Sequence, residues 1–558
     1  MVSRVFHSFV ASLVLLFAAQ TPAAILGTNG AVATVHPLAT DAAVEAIKRG
    51  GNAVDATVAA ALSLGVVDGH NSGIGGGCFL LIRTERGSLI AIDGRETAPQ
   101  KATREMFLRD GKAVPELSQT GALSIGIPGS LAAYDYALKH FGKLKLSDHL
   151  LAAAKIARDG FPLNASYAAR LLESREDLGR FEASRRVLLK PDGTAYKNGE
   201  ILKQPDLAAT YEAIARSGID WFYKGEFAER LEKWMQENNG LITAEDFRRY
   251  EIKLREPIRS RYREYEIIGF PPPSSGGVHV AQILNTLELF DLTKYPAHSA
   301  DSVHLIAEAM KLAFADRAFW LGDPDFVRVP RGLVSRQYAE TLARRIDLQK
   351  ALEVPQHGPA DNYGTAAFGK HTTHFSAADA EGNWVACTAT VNTSFGSKVI
   401  IPGTGVIMNN QMDDFSAQPG VANYFGLVGA EANAVEPGKR PLSSMSPTIV
   451  LRSGKPILSL GAAGGPTIIS QTVVNLINLL DYRMPLAEAL RSPRLHHQWK
   501  PNELRVEALP EKTLESLRAR GHNVITVRSS GAAQIVLKTE QGFEAAHDPR
   551  LEGKAAGW

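Results

Sequence analysis

Two threonines in the stretch 371–392 have the spacing of a nucleophile and a hydrogen-bond partner. A hairpin with its turn centred on Glu381 would place Thr372 opposite Thr390, with Asn392 two residues further along the same face. A threonine hydroxyl needs a base to remove its proton, and a threonine at a chain terminus has its own α-amine for this. Thr372 therefore implies cleavage of the bond before it, started by attack of its own hydroxyl on the preceding carbonyl. An ordinary β-branched strand has the same composition, and a one-residue slip would separate the threonines.

A pair of glycines before a predicted helix has the pattern of an oxyanion hole. Two short strands joined by a turn centred on Gly454 would bring Ser444 level with Gly464. Gly464 and Gly465 then lead into Pro466, a favoured first residue of a helix. Unpaired N–H groups at a helix start bind anions, and glycine permits close approach of a substrate. Plain helix capping is the alternative explanation for the same residues.

Nucleotide and metal cofactors are disfavoured by the motifs that come nearest to them. Residues 73–77 (GIGGG) have the start of a dinucleotide fingerprint, but Cys78 occupies the sixth position and a strand follows where the fingerprint needs a helix. A tight backbone turn explains these glycines better. The histidines that suggest a metal lack helix-face spacing with a carboxylate; they are His371, His374, His496 and His497. We predict no cofactor and no metal.

The elements that would position the site are helices and antiparallel hairpins. Helical patterns begin at Thr40 and Asn52, a hairpin pattern spans 78–93, and helical periodicity dominates residues 146–348. From His371 onward, short alternating strands with glycine turns surround one more helix. This order predicts sheets covered by helices and argues against a parallel, doubly wound fold.

Composition narrows the class of partner. The 558-residue chain has a net charge of +2, and its charges form no basic stripe. This disfavours a nucleic-acid partner and favours a small-molecule or peptide substrate. Cys78 and Cys387 lie in apolar strand-like runs and are expected to be buried thiols rather than a disulfide.

The first 24 residues have the features of a secretory signal peptide. Arg4 precedes an apolar run over residues 9–19, and the alanines at 23 and 24 offer a cleavage site. Because the run is too short to span a bilayer, a membrane anchor is the weaker alternative. We expect a soluble mature protein, periplasmic or secreted, without a membrane anchor.

Six motifs together resemble those of the γ-glutamyltranspeptidase family, also called glutathione hydrolases: DGRETAP, HTTHFS, TATVNTSFG, NNQMDDFS, PLSSMSP and GAAGG. The similarity begins at about residue 32, runs to the end of the chain, and includes NSGIGGG, PPPSSGG and HHQW. It implies an α+β N-terminal-nucleophile hydrolase fold, a four-layer αββα sandwich built from both fragments of a self-cleaved precursor. Residues 1–24 would be the signal peptide, 25–371 the large subunit and 372–558 the small subunit.

The resemblance also implies roles for single residues. The residues that match the catalytic groups are the nucleophile Thr372, its hydroxyl partner Thr390, and the oxyanion donors Gly464 and Gly465. Arg95 and Asp414 match the residues that hold the α-carboxylate and the α-amine of the glutamyl group, through charge-assisted bonds. The remaining polar lining is matched by Asn392, Gln411, Ser443 and Ser444. Residues 419–428 resemble the family's flexible lid, with Tyr424 or Phe425 as the aromatic wall.

The implied activity is transfer of a γ-glutamyl group through an ester on the threonine. Glutathione and related γ-glutamyl compounds would donate the group, and water, an amino acid or a dipeptide would accept it. The two subunits of one precursor would be each other's partners. One alternative is a cephalosporin or glutaryl acylase on the same scaffold, in which Asp414 would be left without an amine to pair. The other is a catalytically dead periplasmic binding protein, which the intact threonines and glycine pair disfavour.

Overall fold

The fold is described from a computed structural model, which covers residues 24–363, 368 and 376–558. The strands, β1 to β21 in chain order, are Ile25–Gly27, Gly30–Thr34, Gly77–Arg83, Leu89–Gly94, Leu108–Arg109, Lys112–Ala113, Phe161–Pro162, Ile201–Leu202, Lys253–Leu254, Ile258–Tyr262, Tyr265–Gly269, Ala377–Asp379, Trp384–Thr390, Thr448–Arg452, Lys455–Ala463, Leu495–His496, Leu504–Val506, Val524–Thr526, Ala532–Thr539, Gly542–His547 and Lys554–Gly557. The helices, α1 to α18, are Pro37–Lys48, Ala53–Val67, Pro115–Gln119, Ser130–Phe141, Leu146–Asp159, Ala165–Glu173, Arg175–Gly179, Glu182–Leu188, Pro205–Ser217, Asp220–Tyr223, Glu226–Glu237, Ala244–Arg248, Gly276–Leu287, Ala300–Trp320, Arg336–Ala343, Thr467–Leu480, Leu486–Arg491 and Glu511–Ala519.

Two seven-stranded sheets form the centre of the molecule. The first has the strand order β1-β20-β19-β15-β14-β11-β10, and the second β21-β2-β12-β13-β3-β4-β9. Every neighbouring pair in both sheets is antiparallel. The prediction of an antiparallel rather than a doubly wound parallel architecture is therefore confirmed.

Alternation along the strands divides the core into three layers. Trp384 and Ala386 of β13 pack with Ile449 of β14 in a core made by the two sheets alone. Val385, on the other face of β13, packs into the core that includes helix α2. Val450 of β14 packs into the core that includes helices α13, α14 and α16. Because successive strand residues face opposite sides, each sheet has one face on its partner and one on helices, which gives the four-layer αββα sandwich.

The hairpin of β12 and β13 has the register that the sequence predicts. Ala377 pairs with Val385 and Ala378 with Trp384, so the hairpin is centred on Glu381. Thr372 and the His371–Thr372 bond lie outside the described residues, as do His374 and residues 1–23 of the signal peptide. The pairing of Thr372 with Thr390 therefore stays a prediction.

The hairpin of β14 and β15 reaches its predicted alignment by a different route. Its turn is the two-residue Ser453-Gly454, with φ of 51° and 76°, rather than a three-residue turn. The shorter turn alone would change the strand register by one residue. A register shift between Val450 and Leu451 cancels this change, so Thr448 pairs with Leu460, as it would in a hairpin with its turn centred on Gly454. Beyond this bulge, the two strands therefore have the register that the sequence predicts.

The helix starts are set by capping residues. Helix α1 begins at Pro37, not at Thr40 as predicted, because the His36 ring accepts a hydrogen bond from the Leu38 N–H and proline suits the first turn. Helix α2 begins as predicted, because Asn52 and Asp55 form a capping box. All of α2 is buried, consistent with its small side chains.

Segments from both sides of the predicted cleavage point share each sheet. In the second sheet, β2, β3, β4 and β9 precede residue 372, while β12, β13 and β21 follow it. The first sheet is mixed in the same way. Both cysteines are buried with free thiols, as expected. In the described ranges, no helix has the length and apolar character needed to cross a membrane.

Candidate active site

A cavity of about 110 Å³ lies where β13, the β15–α16 connection and the loop of residues 441–447 (PLSSMSP, here called the serine loop) meet. Eight of the ten predicted site residues line it: Thr390, Asn392, Gln411, Asp414, Ser443, Ser444, Gly464 and Gly465. Thr372 lies outside the described residues. Arg95 is fully buried and lies behind Asp414 rather than in the cavity wall.

Thr390 ends strand β13 and has its hydroxyl hydrogen available. Its Oγ1 accepts a hydrogen bond from the Asn392 N–H at 2.8 Å, and its backbone pairs with Gly77. A hydroxyl that accepts from an N–H keeps its own proton to donate elsewhere. Asn392, with φ of 83°, is held by a bond from its side-chain amide to the Asn410 carbonyl at 3.0 Å.

The glycines before β3 serve close backbone packing. A Cβ on Gly76 would lie 2.0 Å from the Thr390 carbonyl oxygen, and one on Gly75 would lie 2.1 Å from the Ile407 carbonyl oxygen. Strand β3 follows them, not a helix. These glycines therefore allow the backbone before β3 to pack closely against the end of β13, which agrees with a tight backbone turn rather than a phosphate-binding loop.

The glycine pair between β15 and α16 has the geometry of an exposed anion site. Gly464 and Gly465 have φ of 136° and 58°, and α16 begins two residues later at Thr467. Within the described part of the chain, no group accepts a hydrogen bond from either glycine N–H. A Cβ on Gly465 would lie 2.7 Å from the Phe425 ring, so only glycine fits beneath that side chain.

At the other end of the cavity, Arg95 and Asp414 form an ion pair. Arg95 Nη2 donates to Asp414 Oδ2 at 2.5 Å, and Gln411 donates to the same oxygen at 3.2 Å. Arg95 Nε also donates to the Pro441 carbonyl at 3.1 Å, which ties the arginine to the serine loop. No described group accepts a hydrogen bond from Arg95 Nη1. The site thus holds one cationic and one anionic group side by side.

Glu96 is a buried neighbour of this pair that sequence reasoning missed. Its carboxylate lies 3.5 Å from Arg95 Nη1, and a Cβ on Gly77 would lie 2.4 Å from Glu96 Oε2. Burial raises the pKa of Glu96 to about 7, although the positive charge of Arg95 acts in the opposite direction. Its position next to Arg95 in DGRETAP was the available signal.

The serine loop is held by the PPPSSGG motif. The Ser443 N–H donates to the Pro273 carbonyl at 2.8 Å, and the Ser275 N–H donates to the Ser443 carbonyl at 2.8 Å. Ser274 Oγ donates to the Met445 carbonyl at 2.6 Å. This proline- and serine-rich segment therefore fixes the backbone that carries both predicted serines.

Arg317 also contacts the serine loop and was not predicted. Its Nη2 donates to Ser444 Oγ at 3.1 Å and its Nε to Ser275 Oγ at 3.0 Å. It lies inside helix α14 without a motif spacing, so its sequence context gave no signal.

The lid places one aromatic ring in the cavity wall. Phe425 lines the cavity, whereas Tyr424 is 57% exposed. Gln498 donates to the Phe425 and Gly426 carbonyls at 3.3 and 3.1 Å. Of the two predicted aromatic residues, Phe425 has the position of the wall.

One buried cluster in the described residues has metal-ligand residue types: His304, Glu308 and His522. The two rings hydrogen-bond each other at 2.7 Å, and the Lys311 ammonium donates to Glu308 at 2.7 Å. A cation already paired with the carboxylate opposes binding of a second one, so the cluster reads as a polar network within the core. His496 and His497 are hydrogen-bonded to Ser470, Gln498 and Asn502.

Comparison with known proteins gives consistent results. The sequence profile of the family described as Gamma-glutamyltranspeptidase matches residues 39–558. A glutathione hydrolase proenzyme of Escherichia coli (strain K12) is 46% identical over 95% of this chain and 92% of its own length. An acylase ACY 1 proenzyme of Pseudomonas sp. (strain SE83) is 39% identical over 92% of this chain and 91% of its own.

The fold has a solved counterpart of nearly the same extent. The crystal structure of cephalosporin acylase from Bacillus halodurans superimposes with a TM-score of 0.85 at 27% identity. The match covers 100% of this chain and 99% of that one. The hydrolase and acylase relatives therefore share one scaffold, and the distinction between them must come from the site.

Proposed function

Since the chain belongs to the γ-glutamyltranspeptidase family, we propose that it cleaves the γ-glutamyl amide bond of glutathione and related compounds. The γ-glutamyl group is passed to water or to the amine of an amino acid or dipeptide. The observation that carries the proposal is the Arg95–Asp414 pair at one end of the cavity. A γ-glutamyl group has a carboxylate and an ammonium on its α-carbon: Asp414 in the cavity wall offers the ammonium an opposite charge, and the buried Arg95 guanidinium behind it adds positive charge to the same end of the cavity.

The proposed reaction uses Thr372 as the N-terminal nucleophile. Its α-amine takes the hydroxyl proton while Oγ1 attacks the γ-carbonyl carbon. The N–H groups of Gly464 and Gly465 stabilise the resulting oxyanion. Collapse breaks the carbon–nitrogen bond, and the amine group returns the proton to the leaving nitrogen. Water or an acceptor amine then attacks the threonine ester by the same steps and frees Thr372.

Thr390 and Asn392 support this reaction from strand β13. The Thr390 hydroxyl accepts from the Asn392 N–H, so its proton is free to be donated to the nucleophile's oxygen. The hairpin register centred on Glu381 supports the placement of Thr372 opposite Thr390.

The proposed maturation produces two chains from one precursor. After removal of the signal peptide, residues 25–371 form the large subunit and 372–558 the small subunit. The Thr372 hydroxyl attacks the His371 carbonyl carbon, the peptide C–N bond between the two residues breaks and frees the Thr372 α-amine, and water hydrolyses the resulting ester to leave a carboxylate on His371. The mature protein is periplasmic or secreted.

Acylase activity is the second candidate, because the acylase relatives share the scaffold. A glutaryl group lacks the α-amine, so an acylase of that type would leave Asp414 with no ligand charge to bind. Asp414 in the cavity wall favours the γ-glutamyl substrate.

The experiment that separates the two activities compares γ-glutamyl and glutaryl anilides on purified wild-type enzyme. We expect a higher kcat/KM for the γ-glutamyl compound. Incubation with glutathione, with and without a dipeptide, then measures hydrolysis against transfer. A preference for the glutaryl compound would replace the proposed function with the acylase activity.

A further inference from the structure

The two serines of the PLSSMSP loop have their acceptor lone pairs engaged by N–H donors. Ser444 Oγ accepts from Arg317 Nη2 at 3.1 Å, and Ser443 Oγ accepts from the Met445 N–H at 3.1 Å. No described group accepts a hydrogen bond from either hydroxyl. Since arginine and amide N–H groups can only donate, each serine keeps its proton to give to a ligand in the cavity.

The cavity end that contains these hydroxyls suits a carboxylate. Arg95 donates to the carbonyls of Pro441 and Leu442, the two residues that precede the serines. The Arg95 guanidinium is therefore bound to the backbone of the segment that carries the two serines. Two O–H donors beside a cation form a site for an anionic oxygen pair.

Arg317 is fixed so that it can orient only one of these hydroxyls. Its Nε donates to Ser275 Oγ, and Ser275 Oγ in turn donates to the Ser443 carbonyl at 2.8 Å. The planar guanidinium cannot turn without losing one of its two serine contacts. Burial lowers the pKa of Arg317 to about 10, so the group is charged at neutral pH.

We propose that Arg317, held by Ser275, is a positioning residue for substrate specificity: it fixes the Ser444 hydroxyl as a donor to the α-carboxylate of the γ-glutamyl substrate. This inference rests on the proposed function. It adds to that function a residue from the interior of α14 and a purpose for the PPPSSGG motif beyond holding the backbone. The positive charge of Arg317 also lies near that of Arg95, at the end of the cavity where the substrate α-carboxylate is proposed to bind.

A double-mutant cycle tests the proposal on mature enzyme with a γ-glutamyl anilide. Arg317→Met should lower kcat/KM by roughly 10–100-fold, mainly through KM, because the donor that orients Ser444 is lost. Ser444→Ala should give a comparable loss, and Arg317→Met should add less than about threefold in that background. Arg317→Lys should recover part of the loss, since it keeps the charge without the fixed fork.

A second substrate separates specificity from general damage. A 4-aminobutanoyl anilide keeps the amine but lacks the α-carboxylate, so Arg317→Met should change its kcat/KM by less than about threefold. Should Arg317→Met fail to mature, Ser275→Ala removes the acceptor of Nε and should shift the ratio of the two substrates in the same direction. Ser274→Ala loses its bond to the Met445 carbonyl and so measures the effect of loosening the loop alone; it should shift that ratio less than Ser275→Ala does.

Multiplicative losses in the double mutant, or equal losses on both substrates, would overturn the role of Arg317. Neither result would touch the proposed function, which is tested by whether the wild-type enzyme cleaves γ-glutamyl anilides at all. A wild-type enzyme that prefers glutaryl anilides would remove the premise of both.

Discussion

The two ends of the cavity offer charge to a substrate by different means. At the glycine end, the exposed Gly464 and the partly buried Gly465 have positive φ, and no group in the described ranges accepts a hydrogen bond from their backbone N–H groups. At the arginine end, side chains supply the charge: Arg95 pairs with Asp414 and lies 3.5 Å from Glu96, and the charges of Arg95 and Asp414 both act on Arg317. Backbone donors keep their geometry and charge at any pH, whereas buried charges depend on each other. The proposed chemistry is thus separated from the proposed recognition, and variants at the two ends should fail in different ways.

The largest effect is expected at the proposed nucleophile, Thr372. Thr372→Ala should remain a single uncut chain and be inactive, because the same oxygen starts maturation and turnover. Denaturing electrophoresis and terminal sequencing of the smaller wild-type chain, expected to read Thr-Thr-His-Phe, check this. A fully active protein that stays intact would contradict the mechanism.

At the arginine end, Arg95→Ala and Asp414→Asn should each weaken recognition. Removing either leaves a buried charge without its partner, a cost of about 2–5 kcal/mol in transition-state binding. Asp414→Asn should also narrow the preference for γ-glutamyl over glutaryl anilides, measured as the ratio of kcat/KM values. An unchanged ratio would mean that Asp414 does not bind the α-amine.

At the glycine end, Gly465→Ala should lower kcat by roughly 10–100-fold, because a Cβ there must displace the Phe425 ring and strain a left-handed backbone. Gly454→Ala is the matched control. It introduces similar strain at φ of 76°, but no atom lies within 4 Å of its Cβ. It should lower thermal stability and leave kcat unchanged. Equal losses of kcat in both variants would argue for a general effect of hairpin strain.

Thr390→Ala should slow both maturation and turnover without abolishing substrate binding. It deletes one hydrogen bond to the nucleophile, worth on the order of 1–3 kcal/mol. Thr390→Ser keeps the hydroxyl and should restore most of the rate. Normal maturation and turnover in Thr390→Ala would show that Thr372 does not lie opposite Thr390.

The last effect concerns stability rather than activity and is a pH dependence that arises at the arginine end. Because the pKa of Glu96 is raised to about 7 in the folded protein, Glu96 keeps its proton where the unfolded chain has lost it. Its contribution to stability is complete below the ordinary pKa of glutamate and is lost as the pH rises towards about 7, by up to 1.4 kcal/mol per unit. Thermal midpoints of Glu96→Gln should change less than those of the wild type over this window. Parallel curves would assign the dependence to another group.

Local patterns predicted much of the fold and of the site. The turn residues predicted the strand register of both hairpins at the ends away from the turn, because the position of a turn determines which residues of its two strands pair. The bulge after Val450 was not predicted, because packing between sheets determines it. The start of α1 was missed because a histidine cap is uncommon.

Long-range contacts account for the rest of what the sequence did not predict. Arg95 is fully buried and pairs with Asp414, 319 residues away, a contact that no local pattern indicates. Glu96 and Arg317 were missed because burial and distant partners, not spacing, place them at the site. The position of such residues at the site can be recognised only from the tertiary structure, in which α14 packs next to the sheets.

Both sheets contain strands from the two proposed subunits, which bears on the order of folding and the proposed cleavage. Each sheet combines strands from before and after residue 372, so neither piece has a complete sheet of its own. A single chain assembles these layers at a fixed local concentration of its own parts, whereas separated pieces would have to meet in solution. We therefore expect folding to precede the proposed cleavage, and we expect a cleaved enzyme that has been fully unfolded to refold poorly, because its two pieces are no longer joined.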